Sequence, residues 1–138
     1  MTTQLESTRA ESLAIEGISE PVIAQYFETL NAGEFQATAN LFAPEGALLP
    51  PFEDAVVGPE AIAQYLEAEA KGMTLYPIKG TATPLENGDT EFNVGGKVQT
   101  SLFGVHVAWS FILNSDAQIL SARIKLLGSL EELLKLKR

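Results

Sequence analysis

The sequence changes its period at Gly72. Before it, apolar residues recur every three or four positions; after it, four successive runs alternate apolar and polar residues, the signature of strands with one buried face. The clearest is "VHVAWSFIL", residues 105–113. Val105, Val107, Trp109, Phe111 and Leu113 share one parity, and His106, Ala108 and Ser110 share the other. The run holds the chain's single histidine and single tryptophan. Trp109 therefore points inward with an indole N–H that needs an acceptor in an apolar place, whereas His106 reads as a surface or supporting residue.

The other strand-like runs are "MTLYPIKGTATPLE", "TEFNVGGKVQTSLF" and "QILSARIKLLG", with turn chemistry at Asn87-Gly88 and Asn114-Ser115-Asp116. "VGGKVQT" lacks phosphate-loop spacing and reads as a strand with a glycine bulge. Upstream, "SEPVIAQYFETLNAGEF" predicts a helix with Ser19 as N-cap, Pro21 in the first turn, and a stripe of Val22, Ile23, Tyr26, Phe27 and Leu30. "EFQATANLFAPEG" predicts a second helix ending near Gly46, and "GPEAIAQYLEAEAKG" a third that starts at Pro59. "ALLPPFEDAVVG" is too proline-rich for a central strand and reads as an edge strand or a strand entering a bend. "SLEELLKLKR" has capping-box spacing and predicts a short C-terminal helix. Helices followed by a meander of strands imply an α+β fold, with helices on one face of a curved antiparallel sheet. The expected organisation is a flexible arm over residues 1–14 and one domain over 15–138.

Composition narrows the function classes. The chain's 138 residues suffice for one domain with a real core. A formal net charge of −9 argues against nucleic acid, which needs a basic patch. No apolar run approaches the ~20 residues of a membrane helix, and the polar start is no secretory signal. With no cysteine there is neither disulfide nor thiolate chemistry, so the cytoplasm is the default location. One histidine makes no metal site. The acids of "YLEAEAKG" read as a solvated helix face.

The element order resembles the cone of the nuclear transport factor 2-like superfamily, which includes ketosteroid isomerase, scytalone dehydratase, polyketide cyclases and many non-enzymes, so the fold alone decides no function. The blocks "IEGISEPVIAQYFETLNAGEF", "GALLPPFEDAVVGPEAI", "GKVQTSLFG", "VAWSFILN" and "IKLLGSLEELL" resemble the C-terminal domain of the cyanobacterial orange carotenoid protein and its stand-alone homologues, over about residues 15–138. That resemblance implies a ketocarotenoid ligand (canthaxanthin, echinenone or similar) whose ring carbonyl accepts hydrogen bonds from Tyr26 and Trp109. It also implies a pocket lined by Leu30, Val57, Leu75, Leu102, Phe103, Val107 and Ile124, and a partner-docking role for Glu69. The implied function is a water-soluble carrier, not an enzyme, that takes carotenoid up through transient membrane contact and passes it to helical carotenoid proteins. Singlet-oxygen quenching stays open. A carotenoid longer than one cone is deep implies a homodimer sharing one pigment, and without cysteine that dimer is non-covalent. The all-helical partner domain is missing from this sequence, so quenching of an antenna does not carry over. Leu102 also stands where full-length relatives have tryptophan.

Two other classes remain. An isomerase or cyclase in such a cone needs a carboxylate base near a carbonyl-polarising group. The inward strand positions offer none, since Asp89 and Asp116 fall in turns, Glu91 at a strand start, and Arg123 opposite in parity to Ile124. A ligand-free association domain would stay colourless in a pigment-producing host.

Overall fold

The computed structural model describes residues 14–128. Helix α1, Pro21–Asn31, starts where proline costs no hydrogen bond. Its N-cap is Glu20 rather than Ser19, with the Glu20 carboxylate accepting from the Val22 N–H at 3.2 Å. The stripe expected from the sequence is the buried one, and Ile23, Tyr26, Phe27 and Leu30 all face the core. Helix α2 is only Phe35–Ala39. The longer helix expected here stops because Phe42–Leu49 forms strand β1. Pro44 would obstruct a continuing helix, and β1 gains a ladder against the last strand of the sheet, a partner that lies far away in sequence. Gly46 sits inside β1, not at a helix end. The β1 register shifts between Phe42 and Ala47, and a Cβ at Gly46 would press on the Ile119 carbonyl oxygen.

Val56–Val57 (β2) turns back onto β1. Helix α3, Pro59–Glu69, leads to the long strands β3 (Thr74–Pro84), β4 (Thr90–Gln99), β5 (Gly104–Leu113) and β6 (Ile119–Gly128). The six strands form one curved, unclosed sheet in the order β2-β1-β6-β5-β4-β3. The β3 to β6 meander is antiparallel as expected, but β1 and β6 pair in parallel. The chain crosses over through α3 and the meander before β6 returns beside β1, and such a crossover aligns the two strands. The expected glycine bulge also falls elsewhere: the extra residue is Ile78 in β3, opposite Gly95 and Gly96. The expected arm lies outside the described residues except for Ala14, and the expected helix of residues 129–138 lies wholly outside them.

The register sorts the meander into rows on each face. Toward the helices run Leu75-Val98-Val105, Gly96-Val107-Leu126, Val94-Trp109-Ile124 and Phe92-Phe111-Ala122. The core closes where α1 lays Tyr26 and Phe27 over Trp109 and Phe111.

Candidate ligand-binding site

Between the helices and the upper rows lies a cavity of about 360 Å³, mostly apolar in its lining. Leu30, Leu75, Phe103, Val107 and Ile124 line it, as do Tyr26 and Trp109. Val57 and Leu102 do not. Val57 pairs with Ala47, the neighbour of inward-facing Leu48, and so sits on the opposite face of the sheet, 58% exposed. Leu102 is 85% exposed because the Thr100 hydroxyl accepts the Leu102 and Phe103 N–H groups, a turn that throws the side chain outward.

The two aromatic donors reach the cavity from different elements and share one ring neighbour, Phe27. The Phe27 ring stands edge-on to both, with centroids 5.2 Å from Tyr26 and 4.7 Å from Trp109. Phe111 meets Tyr26 edge-on at 4.9 Å. Both residues are almost fully buried and line the cavity, and no side-chain hydrogen bond between described residues involves the Tyr26 hydroxyl or the Trp109 N–H. Burial alone pushes the Tyr26 phenol well above its ordinary range, so it remains a neutral O–H donor. Two neutral donors in an apolar cavity match an uncharged acceptor with two lone pairs, such as a carbonyl oxygen.

Carboxylates appear in the lining as Glu53 and Glu69, both exposed and flanking Tyr65. Partial burial, followed by the charges of Glu53 and then Glu69, pushes the Tyr65 phenol up to about 12. His106 is on the outer face, as its parity requires, with Nδ1 buried and unpartnered among the described residues. No group of three His, Cys, Asp or Glu side chains among the described residues is placed to hold a metal ion. Sequence reasoning missed the lip formed by Pro50, Pro51 and Phe52. Phe52 is 93% exposed with φ at 63°, in the left-handed region. The paired prolines were the available signal, and they were legible only as a bend.

Comparison with known proteins matches residues 18–121 to the nuclear transport factor 2 (NTF2) domain. This chain belongs to that family. The orange carotenoid-binding protein of Limnospira maxima is 38% identical over 135 residues, covering 95% of this chain and 43% of the relative. The solved orange carotenoid protein of Anabaena (Nostoc) sp. PCC 7120, binding canthaxanthin, is 39% identical with a TM-score of 0.81, covering 89% of this chain and 40% of that one. The chain thus spans less than half the length of these carotenoid-binding relatives. An epoxide hydrolase/cyclase-like enzyme of salinomycin pyran-ring formation, 18% identical with a TM-score of 0.59, covers 77% of this chain and 88% of its own, and shares the fold alone. No described helix is long and apolar enough to cross a membrane.

Proposed function

We propose that this protein is a water-soluble, cytoplasmic carrier of a ketocarotenoid such as canthaxanthin or echinenone, and not an enzyme. The observation that carries this reading is the pairing in one apolar cavity of two neutral donors, Tyr26 and Trp109, that have no hydrogen-bond partner among the described residues. The relatives' carotenoid binding supports it. An isomerase would need an ionised base beside those donors, and the lining carboxylates are instead exposed residues grouped around Tyr65. Burying about 400 Å² of polyene at ~25 cal/mol/Å² contributes on the order of 10 kcal/mol before ordering costs. Apolar contact therefore holds the pigment, and the two donors orient it.

An extended carotenoid is longer than one such cavity, since a chain of this size packs to a radius of gyration of about 14 Å. Two copies set mouth to mouth cover a symmetric diketone and give each of its carbonyls a Tyr26–Trp109 pair; a closed two-fold dimer is the commonest arrangement of identical chains. The exposed apolar residues Phe52, Leu102 and Phe103 border that mouth or its adjoining turn. From this dimer the pigment passes to helical carotenoid proteins.

Production in a ketocarotenoid-making host tests the reading. The expected product is a coloured dimer with one pigment per two chains, by size exclusion and pigment extraction. A colourless protein overturns carotenoid binding. A coloured monomer overturns only the shared pigment.

A further inference from the structure

The outer face of the β3–β6 meander carries a charge opposite to that of the whole chain. Four of the five lysines and arginines among the described residues, Lys79, Lys97, Arg123 and Lys125, project from it. They fall in three adjacent rows: Tyr76-Lys97-His106, Lys79-Gly95-Ala108-Lys125 and Thr81-Asn93-Ser110-Arg123. Glu16, bridged to Lys79, and Glu91, one row further on, are the acids that lie in this stretch. Among the described residues the ion pair present is Lys71–Glu67 on α3, so none of the four face cations is neutralised by a described neighbour. The centre of the face is small and flat, at Gly95 and Ala108, while Tyr76 and Ile78 are exposed along the β3 side. Lys97 Nζ sits 5.4 Å from the centroid of the Tyr76 ring.

We infer that this face docks on an anionic lipid bilayer. The inference rests on the carrier reading, because a pigment that dissolves only in membranes must be collected there. Three features select the occupant. Lysines and arginines with no ion-pair partner among the described residues are attracted to acidic headgroups, an interaction confined to about a Debye length. An aromatic and an aliphatic side chain beside them suit the interfacial zone. With a formal net charge of −9 overall, the orientation that presents this basic face and keeps the acidic helices outward is the one least repelled by an anionic surface. The cavity-lining residues Val98 and Leu126 directly follow Lys97 in β4 and Lys125 in β6, so the end of the sheet that carries the cavity is also the end that carries these two lysines on its other face.

The test is flotation of the full-length, pigment-free protein with vesicles of 30% phosphatidylglycerol in phosphatidylcholine, against phosphatidylcholine alone. Binding to the anionic vesicles alone, weakened by salt, is expected. Lys97→Gln with Lys125→Gln should weaken it about 25-fold, from roughly fivefold per charge. Absence of binding to anionic vesicles, equal binding to neutral ones, or an unweakened double variant overturns the inference. So does a double variant that floats like the parent yet loses pigment delivery to a helical carotenoid protein in lipid-free solution, which would make the face a protein contact. The pigment's spectrum and stoichiometry in the same variant keep the two readings apart: an unchanged spectrum with lost flotation places the defect at the membrane, whereas a colourless parent protein removes the carrier reading itself.

Discussion

Trp109 and its two neighbours Ala108 and Ser110 share one strand, yet they belong to two different environments. The inner face of the meander is aromatic and branched, with no described hydrogen bond to the Trp109 N–H or to the Tyr26 hydroxyl that α1 lays over it; the outer face is small, polar and cationic. A pleated strand makes this division at every residue, so a single sheet can hold an apolar ligand on one side and meet a charged surface on the other. The inner face is intolerant of change because close packing fixes every ring. The outer face is tolerant because its residues touch few others.

The sharpest way to break this contrast is Phe27→Ala. It removes the ring between Tyr26 and Trp109 from a fully buried site, and chemical denaturation should show a loss of about 3–5 kcal/mol. Asn31→Ala comes next. The Asn31 amide accepts from the Leu75 N–H at 2.7 Å and donates to the Leu75 carbonyl at 2.9 Å, tying α1 to the start of β3. Its loss should cost about 1–3 kcal/mol.

Alkaline pH tests the inner face without mutation. The Tyr26 phenol is held neutral by burial, so its pKa is higher in the folded than in the unfolded state. Stability from this group is complete below the unfolded value of 10.0 and falls as pH rises toward the folded value. The slope should approach about 1.4 kcal/mol per pH unit, and Tyr26→Phe should flatten it. On pigmented protein, Tyr26→Phe and Trp109→Phe should each blue-shift the visible band and weaken binding by about 0.5–1.5 kcal/mol. An unmoved spectrum in either would show that the residue does not touch the carbonyl. The smallest effect belongs to the outer face: His106→Ala should leave the pigment spectrum unchanged, and a large shift would reverse the assignment of faces.

Much of this contrast is legible in the sequence because alternation in 105–113 and the stripe in α1 are local patterns that tertiary structure then uses directly. Tyr26 and Trp109 come together for that reason. What sequence could not show depends on distant partners. The first half of β1, Phe42 to Gly46, looks helical in isolation while Ala47 to Leu49 already reads as a strand, and the parallel ladder with β6 makes the whole segment one strand. The resemblance implies Val57 in the pocket lining, and the sequence offers no check on that, because a two-residue strand carries too little alternation to fix its parity. The resemblance also implies Leu102 there, but its direction is set by the hydroxyl of Thr100, which no sequence pattern reveals.

Strand β3 has a further consequence. It ends the sheet and is eleven residues long, so its outer backbone groups form a template that another chain's strand could extend into a fibre. The segment around Glu16 occupies part of that template: the Glu16 N–H donates to the Ile78 carbonyl at 3.2 Å, and the Gly80 N–H donates to the Glu16 carbonyl at 2.8 Å. Gly17, with φ at 87°, lets the segment lie this close, since a Cβ there would overlap the Gly80 carbonyl oxygen. The same stretch that opens the fold therefore guards it against self-association, and Gly17→Val should leave a foldable protein that accumulates thioflavin-positive aggregates on storage.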